Sequence, residues 1–235
     1  ENLSNLLGDP VPLQIDALEN KMITGRRGGY CFEQNALFQH VLDDIGFEVT
    51  PIAARVVWSA DKGPRNPRTH MALLVSIDTE RYLCDVGFGA ATQTAPLVLD
   101  QRQAQSTPHE RYRIRSLGEL LVLEIEIQQQ WRPAYEFDLQ PQEPIDYEAM
   151  NHFVQTHPTS HFPHVLMACR PDDSGRFTLR DNEFRRYESG QMVSRRTIDT
   201  APELERVLGD EFRIELPSAP GLKALLDDIA GRNAA

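Results

Sequence analysis

The sequence predicts an α+β fold in three parts, and three observations predict it. Apolar residues at helical spacing mark residues 1–47, and period-two alternation with turn signals fills residues 48–150. Strand-like and helix-like stretches mix from residue 151 to residue 235. That length allows one large domain, or two to three small ones, and a sizeable buried core.

In the first part, Ile15, Leu18, Met22 and Ile23 predict one helix. Leu37, Phe38, Val41, Leu42 and Ile45 predict a second, with Gly46 as its stop. Cys31 falls in the first turn of this second helix. The backbone N–H groups of a first turn are unpaired and carry partial positive charge, so a thiol there gives up its proton more readily. Gly28 and Gly29, just ahead of the cysteine, predict a sharp turn and open space beside the sulfur. A buried structural cysteine fits this stretch equally well.

A cysteine nucleophile needs a base, and the base needs a group to orient it. In the second part, two apolar runs flank Asp78-Thr79-Glu80 and predict a hairpin that opens at His70 and closes at Asp85. The turn brings His70 and Asp85 within a couple of residues of the same cross-strand pair, where Cβ atoms lie about 5 Å apart. An aspartate in an apolar strand requires a charged or hydrogen-bonding partner. The alternative is a strand-end aspartate capping a loop beside a solvated His70. Cys31, His70 and Asp85 together form a candidate nucleophile, base and orienting group.

The other elements of the second part are strands over residues 52–58, 111–115, 121–128 and 135–139. Their succession suggests an antiparallel barrel or a sandwich. Glu119, Glu124 and Glu126 read as a solvated strand face. In the third part, residues 165–170, 176–181, 183–188 and 192–198 are strand-like. Thr200 and Pro202 predict a helix start, as N-cap and first-turn residue. Leu222, Leu225, Leu226 and Ile229 predict a last amphipathic helix.

Composition excludes several classes. A net charge of −11 argues against nucleic acid as the main partner. No apolar run reaches membrane-spanning length, and no basic-then-apolar leader opens the sequence. Cys31, Cys84 and Cys169 lack paired spacing, which fits a reducing compartment such as the cytoplasm. His152, His157, His161 and His164 crowd together, but Pro158 breaks any helix that would align His157 with His161, and no metal site is predicted. Lys62, Arg65 and Arg68 lead into His70, either as solvated loop charges or as contacts for a phosphate-bearing molecule. Phe32, Trp58 and Phe88 line an aromatic pocket or belong to the core; Phe88, between two glycines just after Asp85, has the best case for a pocket.

RGGYCFEQN around Cys31, a histidine after Thr69, and DVGFG from Asp85 together resemble the arylamine N-acetyltransferases. The 39-position step from Cys31 to His70 fits the same pattern, as do the opening ENL with LLGDPVPL and the run YEFDLQPQEPIDYEAMNHFVQTHPTSHF. The resemblance implies a cysteine-protease-like fold: N-terminal helical bundle (1–47), antiparallel β-barrel (48–150) and C-terminal α/β lid (151–235). It implies acetyl transfer from acetyl-CoA, a co-substrate, to an arylamine or arylhydrazine through an acetyl-cysteine, with Cys31, His70 and Asp85 as triad. It associates Thr69, Gly87, Phe88 and Gly89 with coenzyme A and the cleft, and places Ser160 and Phe162 on a loop near it. It also implies further helical turns ahead of Glu1 and an ion pair between Glu1 and Arg27, which loss of those turns would leave unsupported. A biosynthetic amide-forming relative, a thiol hydrolase or transglutaminase-like enzyme, and a non-catalytic binding protein are the alternatives.

Overall fold

The computed structural model describes residues 1–58 and 66–232. In chain order its elements are α1 (Leu3–Leu7), α2 (Ile15–Leu18), α3 (Cys31–Asp44), β1 (Glu48–Val56), β2 (His70–Ile77), β3 (Glu80–Cys84), β4 (Leu97–Val98), β5 (Gln105–Ser106), β6 (Arg111–Leu117), β7 (Leu120–Ile127) and β8 (Gln130–Pro141). Then follow α4 (Pro144–Thr156), β9 (Met167–Asp172), β10 (Gly175–Arg180), β11 (Glu183–Glu188), β12 (Gln191–Thr197), α5 (Ala201–Asp210) and α6 (Leu222–Ala230). This is the α+β plan that the sequence predicts, with helices toward both ends and antiparallel sheets between. The chain clusters into two compact units, Cys31–Asn151 and Glu1–Tyr30 with His152–Ala235.

In the unit Cys31–Asn151, the described residues form an eight-stranded antiparallel sheet in the order β4-β3-β2-β1-β8-β7-β6-β5. The two outer strands are joined by one side chain: Gln105 accepts from the Val98 N–H at 2.8 Å and donates to the Val98 carbonyl at 2.9 Å. That link decides for a nearly closed barrel over a sandwich. The interior is apolar, with Ile52, Leu74, Leu83, Ile114, Leu123, Ile125 and Phe137 among its buried residues. Among the described strands of this sheet, clean alternation of buried and exposed residues is confined to β6, while stretches of β2, β7 and β8 are buried on successive residues and so are covered on both faces.

Two expectations need correction here. Glu124 is buried rather than solvated, at 6 % exposure. Cross-strand Arg113 holds it at 2.5 Å and Arg115 at 3.4 Å. A buried carboxylate is tolerated when cations pair with it in this way. The apolar stripe of α3 is also only partly covered. Its first turns are buried, while Val41 and Ile45 are 47 % and 66 % exposed.

In the other unit, β12-β11-β10-β9 make a four-stranded antiparallel sheet. Leu166, Leu179, Phe184, Leu204, Leu208, Leu226 and Ile229 share one core there, formed with α5 and α6. Thr200 has the extended N-cap backbone before α5 but makes no side-chain cap bond. The first predicted helix runs as α2 and then changes to a π-helical turn over Glu19–Thr24. Ile23, inside this turn, is 64 % exposed rather than part of a buried apolar face.

The ion pair between Glu1 and Arg27 that the resemblance implies is formed. Arg27 Nε lies 2.9 Å from Glu1 Oε1, with the two side chains 10 % and 0 % exposed. The Gly28 N–H donates to the same oxygen at 3.2 Å, and the Leu3 N–H donates to Oε2 at 2.5 Å. Gly28 is required for space: a Cβ there would lie 2.9 Å from Glu1 Cγ. The left-handed backbone of this turn belongs to Arg26, at φ 49°. Replacing Arg27 by methionine removes the guanidinium bonded to a fully buried carboxylate, and loss of one partner of a buried pair costs about 3–5 kcal/mol. The Arg27→Met variant is therefore expected to unfold at markedly lower urea concentration than the wild type, measured by circular dichroism.

Candidate active site

Cys31 opens α3 and is buried, at 6 % exposure. Its thiol faces the Thr69 carbonyl, with Sγ and O 3.7 Å apart. The next residue, His70, opens β2 opposite Ala54 of β1. In the hairpin, Leu73 pairs with Cys84 and Ile77 with Glu80. Carried one step past β3, this register sets Asp85 opposite Ala72, on the same face as His70 and two residues along. The diagonal neighbours meet: His70 Nε2 lies 2.6 Å from Asp85 Oδ2, and each residue is 2 % exposed. The solvated His70 considered at sequence level is thereby excluded.

Asp85 has two further partners that sequence reasoning missed. Asn35 donates to Oδ1 at 2.9 Å, and the Gly87 N–H donates to the same oxygen at 2.8 Å. Asn35 also donates to the Met71 carbonyl at 2.8 Å and accepts from the Val86 N–H at 3.0 Å. One helical turn beyond Cys31, on the same helix face, Asn35 therefore ties α3 to β2 and to the loop after β3. The signal was its i+4 spacing from the cysteine. Gly87 is a glycine for a steric reason. A Cβ there would lie 2.6 Å from Cys31 Cα and 2.8 Å from Asn35 Nδ2.

Burial alone raises the pKa of Asp85, but the charge of His70 and the bonds from His70, Asn35 and Gly87 outweigh it and hold the carboxyl below its usual range. For His70, burial lowers the pKa; the charges of Asp85 and then Cys31 outweigh it and push the value up to about 10. The ring of His70 packs against Phe88 at 5.0 Å and Tyr135 at 4.9 Å between centroids. Tyr135 is fully buried, and burial followed by the charge of Asp85 holds its phenol well above the usual range.

The other candidates fall out differently. Phe88 is half-buried, and Trp58, 43 % exposed, meets it at 6.3 Å. Phe32 is fully buried and packs on Tyr147, which makes it core. Arg68 pairs with Asp138 at 2.6 Å, while Lys62 and Arg65 lie outside the described residues. In the other unit, Ser160 is buried and donates to the Val154 carbonyl at 2.6 Å, and Phe162 meets Tyr30 at 5.4 Å. His157 stacks on Phe153 at 4.1 Å, and among the described residues no three His, Cys, Asp or Glu side chains gather as metal ligands would. No helix of the described residues is long and apolar enough to cross a membrane.

A family model described as N-acetyltransferase matches residues 1–220. The arylamine N-acetyltransferase of Escherichia coli is 40 % identical over 221 residues, spanning 93 % of this chain and 78 % of that relative. The chain belongs to the arylamine N-acetyltransferase family. Another member, from Mycolicibacterium smegmatis, is 39 % identical over 237 residues, covering 99 % of this chain and 82 % of its own. Among solved arylamine N-acetyltransferases, that of Mycobacterium marinum in complex with CoA superposes with a TM-score of 0.93 at 37 % identity, covering 97 % of this chain and 87 % of that one. The Salmonella typhimurium structure gives 0.90 at 38 % identity, with 98 % and 85 % covered. The three-part fold implied by the sequence resemblance is thus the fold of this arylamine N-acetyltransferase family member.

The His70 pair has a consequence for stability. Its pKa in the fold, about 10, stands above the 6.5 of an unperturbed histidine, so the folded state binds this proton more tightly. The resulting stabilisation is complete below pH 6.5 and is lost as pH rises toward 10. Melting temperature measured between pH 6.5 and 10 is expected to fall more steeply for the wild type than for His70→Gln.

Proposed function

We propose that this protein transfers an acetyl group from acetyl-CoA to the nitrogen of an arylamine or arylhydrazine by a ping-pong route through acetyl-Cys31. Family membership supports the overall reaction. The observation that carries the route is the buried His70–Asp85 pair beside a cysteine at the start of a helix. Asp85 holds Nε2 of His70, so Nδ1 is the ring nitrogen left for the thiol proton. The proton passes from Sγ to His70, and Asp85 stabilises the imidazolium. The sulfur attacks the thioester carbonyl, a new C–S bond forms, and the bond to the coenzyme A sulfur breaks. The departing thiolate takes the proton from His70.

The neutral amine then attacks the acetyl carbonyl. His70 accepts its proton, the C–S bond to Cys31 breaks, and the proton returns to the cysteine sulfur. The Cys31 backbone N–H, at the start of α3, is one donor to the developing oxyanion. Thr69, Gly87, Phe88 and Gly89 surround this chemistry in sequence and are assigned to coenzyme A and the cleft. Cys31, Cys84 and Cys169 are all free thiols, in keeping with a cytoplasmic location.

Because the acetyl group rests on Cys31 between half-reactions, the two substrates need never meet. Reciprocal plots at several fixed amine concentrations are expected to be parallel. Acetyl-CoA alone should release a stoichiometric burst of coenzyme A and leave an acetyl adduct on Cys31 by intact mass. Intersecting lines without a burst would remove Cys31 as nucleophile. Steady coenzyme A release without amine would instead indicate the hydrolase.

Asp85→Asn tests the orienting role. An amide offers N–H groups to His70 and favours the wrong tautomer, a change that costs about 10⁴ in rate in a serine-protease triad. Single-turnover acetylation of Asp85→Asn is expected to fall by about that factor. A rate near that of the wild type would reduce Asp85 to a structural residue.

A further inference from the structure

Tyr147 lies in the first turn of α4, 4 % exposed, with its ring tilted against Phe32 at 5.9 Å between centroids. Phe32 follows Cys31 directly in the chain, so this packing brings the phenol alongside the start of α3. Among the described residues, the Tyr147 hydroxyl has no hydrogen-bond partner. The fully buried Tyr112 differs, since its hydroxyl donates to the Ala91 carbonyl at 3.1 Å. A buried hydroxyl without a partner destabilises a fold, and its retention calls for a reason.

Electrostatics supply one. Burial first, and then the charge of Cys31, hold the Tyr147 pKa well above the usual phenol range. At neutral pH the hydroxyl is therefore a neutral donor. The hydroxyl feels the charge of Cys31 but makes no hydrogen bond to its sulfur. An atom carried on that sulfur could satisfy it.

We propose that the Tyr147 hydroxyl donates a hydrogen bond to the carbonyl oxygen of the acyl group on Cys31, as a second oxyanion donor beside the Cys31 backbone N–H. The inference rests on the acetyl-Cys31 route above. In each half-reaction the carbonyl carbon becomes tetrahedral and its oxygen gains negative charge. A preformed donor in a dry site stabilises that charge with little reorganisation. No bond to Tyr147 is made or broken, and its proton stays on the phenol.

Tyr147→Phe removes only the hydroxyl. Loss of an oxyanion donor slows turnover by about 10²–10³ where it has been measured in a protease. Single-turnover acetylation of Tyr147→Phe is expected to slow at least tenfold, equally with acetyl-CoA and with p-nitrophenyl acetate, because the two donors share the carbonyl. Alkylation of Cys31 by iodoacetamide, which develops no oxyanion, should keep its wild-type rate. The melting temperature should hold or rise, since an unsatisfied donor has been removed.

An unslowed acetylation overturns the assignment and leaves the hydroxyl to an ordered water. A slowing confined to acetyl-CoA overturns it as well, because the contact would then be with the coenzyme. Equal slowing of acetylation and alkylation overturns it in favour of an effect on the thiol. Absence of a burst in the wild type overturns the ping-pong route and this role together, so the two failures are told apart.

Discussion

A carboxylate at 2 % exposure imposes the strictest condition on this structure. Asp85 stays charged in its place only if its oxygens are fully engaged. Its partners come from three separate places: His70 at the start of β2, Asn35 in α3, and the main chain at Gly87. Meeting the demands of one charge therefore locks a helix, a hairpin and a loop to one another. The position of Cys31 follows from the same clamp, because Asn35 fixes the helix that begins with the cysteine. Gly87 lets the loop close on that helix, where any side chain would strike Cys31.

Much of this was legible in the sequence, for identifiable reasons. The hairpin from His70 to Asp85 was readable because a polar stretch at Asp78 and Thr79 interrupts two apolar runs; its register was not, because it depends on a turn type that the sequence left open and the structure sets at Ile77 opposite Glu80. The start of α3 at Cys31 was readable because Gly28, Gly29 and Tyr30 lead into the cysteine and helical apolar spacing follows it as far as the stop at Gly46. What sequence could not supply were relations carried by single side chains across the fold. Asn35 looks like any polar residue on a helix until its amide is seen between Asp85, Met71 and Val86. Glu124 looks solvated until Arg113 and Arg115 turn up beside it. Barrel and sandwich were indistinguishable because the strands alternate alike in both.

The Glu1–Arg27 and His70–Asp85 pairs differ in what surrounds them. Glu1 and Arg27 meet within a turn made largely of backbone, where two main-chain N–H groups complete the carboxylate. That arrangement contains no titrating ring. The His70–Asp85 pair instead couples a carboxylate to an imidazole whose proton is held to about pH 10. The first is suited to holding a shape, and the second to holding a proton.

The barrel seam carries a consequence of its own. An open sheet ends in strands whose unpaired N–H and C=O groups invite another chain to add on, the route to edge-to-edge aggregation. Here the two outer strands are only two residues long, and the Gln105 amide occupies both the N–H and the C=O of Val98. A carboxamide carries one donor and one acceptor in a plane, as a peptide group does, so this side chain stands in for a missing ladder rung. Glutamate at the same place would lack the donor, and asparagine would fall a methylene short. One glutamine thus gives the sheet its protection against self-association at the point where its backbone pairing runs out.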